Sequence, residues 1–288
     1  MGFSKLSEIM TYGETHQMPF WQVILEDDCR ERNVSESQSL EAMEELLEAM
    51  ERADAGYDKN LRSAGGMAGG DGEKLAQLRQ KGDCLVGPFL SQVMEKAVKM
   101  GESNACMRRI VAMPTAGSCG VIPAVLLTYY EQKQVDRKRL LQALYVAGGI
   151  GEVLAASASI SGAEGGCQAE IGSACAMAAG ALSFLEGGDA TCICHSAALA
   201  LKNMLGLVCD PVAGLVEVPC IKRNSFGAVS AVVAAQLAAA GVRSAIPPDE
   251  VIDSMRRIGK ELPKCLKETS MEGLAVTPTA QEIAKRSR

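Results

Sequence analysis

The 288 residues carry a net charge of −6, 4% aromatic residues and a single Trp, with a pI near 5.2. That balance excludes phosphate-backbone binding as a main activity, and no basic stripe or aromatic platform offers an alternative route to nucleic acid. Eleven cysteines, an odd number, with no basic-then-apolar leader at residues 1–6, predict a cytosolic chain of reduced thiols.

Along the chain, residues 1–34 are poorly periodic, with a short helix expected around 20–29. Residues 37–55 form a clear amphipathic helix: Leu40, Met43, Leu47 and Met50 make a stripe opposite Glu41, Glu44, Glu45, Glu48 and Glu51. Residues 63–72 make a glycine loop. Its backbone N–H groups can approach a ligand closely, but no Gly-Lys-Ser/Thr follows to make it a Walker loop. Pro88 opens a helix to about Met100, ended by Gly101. Residues 112–123 bring hydroxyls and glycines between prolines, a candidate carboxylate nest at the start of a helix over 121–131.

Further helices are expected over 137–159, 168–185, 190–205, 225–240 and 248–262, with faces rich in Ala, Gly and Ser that permit close packing. The Ala-rich stretches 153–161 and 227–242 are too short or too polar to span a membrane, which takes about 20 apolar residues. Strand signals are scarce, and no Val/Ile/Tyr alternation persists. The expected architecture is all-α, one helical catalytic domain over 1–288 with Gly-rich functional loops.

Three cysteines stand apart from the apolar runs. Cys167 lies in Gly162-Ala163-Glu164-Gly165-Gly166-Cys167-Gln168-Ala169-Glu170, Cys209 precedes Asp210-Pro211, and Cys220 follows Pro219. Thiols on turn-like, polar segments suggest reachable thiolates. Three are one short of a closed zinc or cubane iron–sulfur set and would leave one metal position open. Cys192, Cys194 and His195 lack zinc-knuckle spacing and read as helix packing. A Cys–His nucleophilic pair stays open with only His16 and His195 to serve it. Serine-nucleophile chemistry lacks its elbow, and no Lys motif supports pyridoxal phosphate.

Taken together, Pro114-Thr115-Ala116-Gly117-Ser118, Ser161 to Gln168, Cys209 to Gly214 and Val218 to Asn224 resemble the iron–sulfur-dependent L-serine dehydratases, specifically the α subunit of the two-subunit bacterial form. Glu268 to Ser270 and Gly273 to Ala275 extend the likeness, which covers about residues 20–277. The resemblance implies a [4Fe–4S] cluster held by Cys167, Cys209 and Cys220, L-serine as substrate, and a separate β subunit, in a heterodimer or higher α/β assembly. It implies β-elimination to pyruvate and ammonia, with an open iron acting as Lewis acid on the β-hydroxyl. Single-chain members carry a C-terminal cysteine that reaches the site, and residues 276–281 here have none.

Closeness in sequence nominates Glu164, Gln168, Asp210 and Lys222 as groups around the cluster. Thr115, Ser118 and the Gly69-Gly70-Asp71 turn are candidates for gripping the substrate's carboxylate or ammonium. No residue stands out as the catalytic base, and His195 is a weak candidate for it. Cysteine desulfidation and a non-catalytic metal-binding regulatory module are the competing functions.

Overall fold

The computed structural model describes residues 2–82 and 84–286. Thirteen α-helices account for most of them: α1 Leu6–His16, α2 Phe20–Arg32, α3 Glu36–Ala55, α4 Asp71–Gln80, α5 Gly87–Ala105, α6 Val121–Lys133, α7 Arg137–Ser157, α8 Gly162–Gly165, α9 Ser173–Leu185, α10 Ala190–Lys202, α11 Cys220–Ala239, α12 Pro248–Glu261 and α13 Pro278–Arg286. Among the described residues there is no sheet, only an isolated parallel bridge between Cys209 and Lys267. The all-α expectation holds.

The fold is built around α9. Every one of its residues is buried, which a helix tolerates only if it is apolar or small all round. Its Ala, Gly and Ser side chains let α6, α7, α10 and α11 close around it. The fit is tight: a Cβ on Gly180 would lie 2.2 Å from Ile150 Cδ1, and one on Gly151 2.6 Å from Met177 Cε, so either methyl would displace the end of a neighbouring side chain. The facing helices are therefore interlocked by side-chain size. α7 is long and apolar enough, by length and composition, to cross a membrane, yet 61% of its most apolar stretch is buried inside the protein.

Outside this centre, α3 starts where a capping box forms. Ser35 N–H donates to Gln38 Oε1 at 2.9 Å, and Gln38 N–H donates to Ser35 Oγ at 3.3 Å. Leu47 and Met50 then enter the core, with Leu40 and Met43 packed partly buried against it. At the N-terminus two helices replace the one expected. α1 is capped from far along the chain, because Leu6 N–H donates to Asp249 Oδ1 of α12 at 2.7 Å. α5 runs past Gly101, where a Cβ would meet Ile221 Cα at 3.2 Å, so this glycine serves packing and not termination.

Candidate active site

Three segments bring their cysteines together. Cys167 follows α8 through Gly166, whose φ of 76° turns the chain. After Cys167 comes a π-helical turn, Gln168–Gly172, that runs directly into α9. Cys209 lies between α10 and α11 and is held from both sides: its N–H donates to Leu266 O at 2.9 Å, and its carbonyl accepts from Glu268 N–H at 2.8 Å. Cys220 is the first residue of α11, five residues before the helix start expected from the sequence.

All three are free thiols, and their side chains are close enough to shift one another's ionisation. Burial is the main influence on each. It pushes Cys167 up to about 11 and Cys220 up to about 12, and raises Cys209 further, with Cys167 and Glu170 adding to the rise at both Cys209 and Cys220. Relative exposures of 2%, 3% and 9% for Cys167, Cys209 and Cys220 correct the expectation of reachable thiols. The 264–268 segment closes over Cys209, and the loops that look open in sequence fold inward.

The donor chemistry fits an iron–sulfur group better than a single ion. A tetrahedral zinc with Zn–S bonds of about 2.3 Å draws its thiolates to about 3.8 Å from each other. The three sulfurs do not all lie within 4.8 Å of one another; among the described residues only Asp27, Glu31 and Glu152 meet that spacing. A compensating cation is present. The positive charge of Arg223 acts on Cys167 and lowers its pKa against the larger effect of burial. The same guanidinium donates to Asp210 Oδ1 at 3.0 Å and to Val208 O at 2.8 Å. Asp210 in turn accepts from Leu274 N–H at 2.9 Å, fastening the C-terminal segment.

Beside the thiols lies the loop 114–120. Asn224 ties it to α11, accepting from Gly120 N–H at 2.8 Å and donating to Gly117 O at 2.8 Å and Cys220 O at 3.0 Å. Thr115 Oγ1 donates to Glu170 Oε1 at 2.9 Å. Ser118 is fully buried and sits 3.1 Å from the Thr115 hydroxyl, so it supports Thr115 from behind. Glu170 Oε2 is 3.9 Å from Cys209 Sγ.

The glycine loop is organised differently from the ligand cradle suggested by its composition. Its N–H groups converge on carboxylates of the chain itself. Gly69, Asp71 and Gly72 donate to Glu102 at 3.2, 2.8 and 3.1 Å, and Tyr57 Oη joins at 2.6 Å. Ser63 Oγ, Gly65 N and Met67 N donate to Glu217 at 2.5, 3.0 and 3.2 Å. Gly70 supplies the left-handed residue before α4, with φ of 83°. Asp71 points its carboxylate at Lys222 and Lys74, at 2.6 and 2.7 Å. Those two cations hold its pKa below the usual carboxylate range. The loop's N–H groups do gather at an anion, and that anion is Glu102.

Of the other nominated residues, Asp210 reaches the thiols through Arg223, and Lys222 reaches only Asp71. Gln168 is wholly buried and points the other way, donating to Met255 O at 3.0 Å and accepting from Gly206 N–H at 2.9 Å. Glu164 accepts from Ser159 Oγ at 2.7 Å and lines an outer cleft with Arg256 and Lys260. His195 accepts from Ser244 N–H at 3.1 Å on α10, away from the trio, while Cys192 and Cys194 pack in the interior. Sequence reasoning missed Arg223, Asn224 and Glu170, although all three lie inside the quoted motifs. Their polarity next to thiols was the available signal.

Residues 15–275 match the family model described as serine dehydratase alpha chain. The chain belongs to this family. Among curated relatives, a probable L-serine dehydratase alpha chain of Bacillus subtilis is 43% identical over 284 residues, 99% of this chain and 95% of the relative. The L-serine dehydratase alpha chain of Peptoniphilus asaccharolyticus is 37% identical over 96% of each chain. An L-serine dehydratase of Escherichia coli is 45% identical over 185 residues, which cover 62% of this chain but only 40% of that longer protein. The alpha-chain pattern thus occurs both as a chain of this length and as part of a longer one.

Proposed function

We propose that this chain is the catalytic α subunit of an L-serine dehydratase, working in the cytosol with a separate β subunit and a [4Fe–4S] cluster held by Cys167, Cys209 and Cys220. The observation that carries this reading is the meeting of three buried thiols from distant segments beside one half-buried guanidinium. When bound, such a cluster supplies a Lewis-acidic iron that eases departure of the serine hydroxyl without redox change.

The chain's own residues do the rest. Arg223 offsets part of the negative charge that three thiolates bring into a buried site, while Asp210 fixes its direction. Asn224 locks the 114–120 loop to the turn carrying Cys220, so the loop and the sulfur ligand move as one. Thr115 presents its hydroxyl at the site with Ser118 behind it. Net chemistry is loss of water from L-serine to 2-aminoacrylate, tautomerisation to the imine, and hydrolysis to pyruvate and ammonia.

The test is anaerobic. Iron and sulfide counts, the absorption spectrum, and turnover of serine, threonine and cysteine are measured with and without the co-purified β partner. Replacing any of the three cysteines by Ala should abolish both cluster and turnover. Serine turnover that persists after complete iron removal refutes the proposal.

A further inference from the structure

We propose that the cleft between the end of α7, α8 and α12 is a binding site for a small zwitterionic amino acid, separate from the thiol site. The cleft measures about 230 Å³. A cavity of about 150 Å³ holds benzene, which has as many heavy atoms as L-alanine, so an amino acid with a short side chain fits. Ala158, Gly165, Ala169, Met255 and Gly259 give the cleft an apolar lining. Close packing fixes its frame. A Cβ on Gly259 would lie 3.1 Å from Gly165 Cα, so α12 rests directly on α8. Gln168 in the lining is braced on both sides, donating to Met255 O at 3.0 Å and accepting from Gly206 N–H at 2.9 Å. This wall belongs to the segment that carries Cys167, yet Gln168 borders the cleft while Glu170 borders the thiols.

Charge decides the ligand class. Glu164 accepts from Ser159 Oγ at 2.7 Å and has no cationic partner among the described residues. Lys260 of α12 lines the same cleft, and its ammonium makes no ion pair or hydrogen bond among the described residues. Arg256 is already engaged by Asp253, to which its Nε and Nη2 donate at 3.0 and 2.5 Å. An anion and a cation thus share one space, on two elements packed together, without pairing with each other. A neutral ligand would answer neither charge, and a simple carboxylate or amine only one. A zwitterion answers both, its ammonium toward Glu164 and its carboxylate toward Lys260. The apolar lining between them receives the short side chain.

Met255 supplies a local reporter, because it lines the cleft. The full-length chain is prepared with isotope-labelled methionine methyls, and the Met255 resonance is identified by its loss in Met255→Leu. L-Alanine, propionate and ethylamine are then titrated anaerobically. L-Alanine should move the Met255 methyl saturably, whereas propionate or ethylamine at the same concentrations should not saturate it. Glu164→Gln and Lys260→Gln, both at exposed positions, should each weaken L-alanine by about 3- to 5-fold, the size of one lost solvent-exposed charge contact. A Met255 methyl that ignores L-alanine, an equal response to propionate or ethylamine, or an L-alanine affinity unmoved in both variants overturns the proposal.

Discussion

Replacing Glu102 tests whether the glycine loop is an internal socket. Its carboxylate, 1% exposed, accepts from three backbone N–H groups and from Tyr57. Glu102→Ala strands those donors, and each unsatisfied buried group costs about 1–3 kcal/mol. Water reaches the part-buried Gly69 and Asp71 amides, so the total should fall near the lower end, about 3–6 kcal/mol. Glu102→Gln is subtler. Oε1 takes the Gly69 and Asp71 amides, while Oε2 takes Gly72 and Tyr57. An amide can satisfy the first pair but sets its NH₂ against the Gly72 N–H, at a cost of about 1–3 kcal/mol. Urea denaturation with amide hydrogen exchange at Gly69, Asp71 and Gly72 reads both quantities. The expected result is a lower midpoint, faster exchange at those amides, and partial rescue of Glu102→Ala by added acetate. Parent-like stability and protection in both variants would refute the socket.

Other consequences follow from the same contacts. Gly162→Ala places its Cβ against Glu170 Oε2 and, at 3.1 Å, Cys209 Sγ, so iron content should fall while helical circular dichroism is kept. Exposing the holoenzyme to air should remove turnover, and ferrous iron with reductant should restore it. Burial, with Glu31, Asp27 and Asp28 nearby, raises the Glu152 pKa from 4.5 to about 7. The folded state therefore keeps a proton the unfolded chain gives up, and stability declines as pH rises from 4.5 through 7. Glu152→Gln should match the parent below that window and exceed it above pH 7 by about 1 kcal/mol after allowance for solvent screening, read by thermal melts at pH 4 and 8. His195→Gln should retain iron and serine turnover, because His195 contacts Ser244 and not the thiol site.

What the sequence revealed divides by range. The amphipathic stripe of α3 and the small-residue faces of α9 and α11 are local patterns, and the helices form as their spacing predicts. α1 owes its first turn to Asp249, 243 residues away, which no window of sequence contains. Cys220 looks like a loop residue because Pro219 precedes it, yet Pro commonly precedes a helix, and α11 begins there. The glycine loop was legible as a place where backbone N–H groups could meet a ligand, but the groups that fill it, Glu102 and Glu217, sit on other segments. Gln168 and Glu170 illustrate the remaining difficulty. Two residues apart in one motif, the first points to α12 and the second to the thiols, and sequence closeness nominated the wrong one for the site.

Both residues lie in the π-helical turn at Gln168–Gly172. Compared with an α-helical path, such a turn holds one residue more. Cutting a residue from it would rotate Cys167 by about 100° relative to α9, whose every side chain is locked in place by its neighbours. The buried rod cannot swivel to compensate. Evolution or design can exchange side chains along this stretch, but altering its length would swing the first sulfur out of register with the other two.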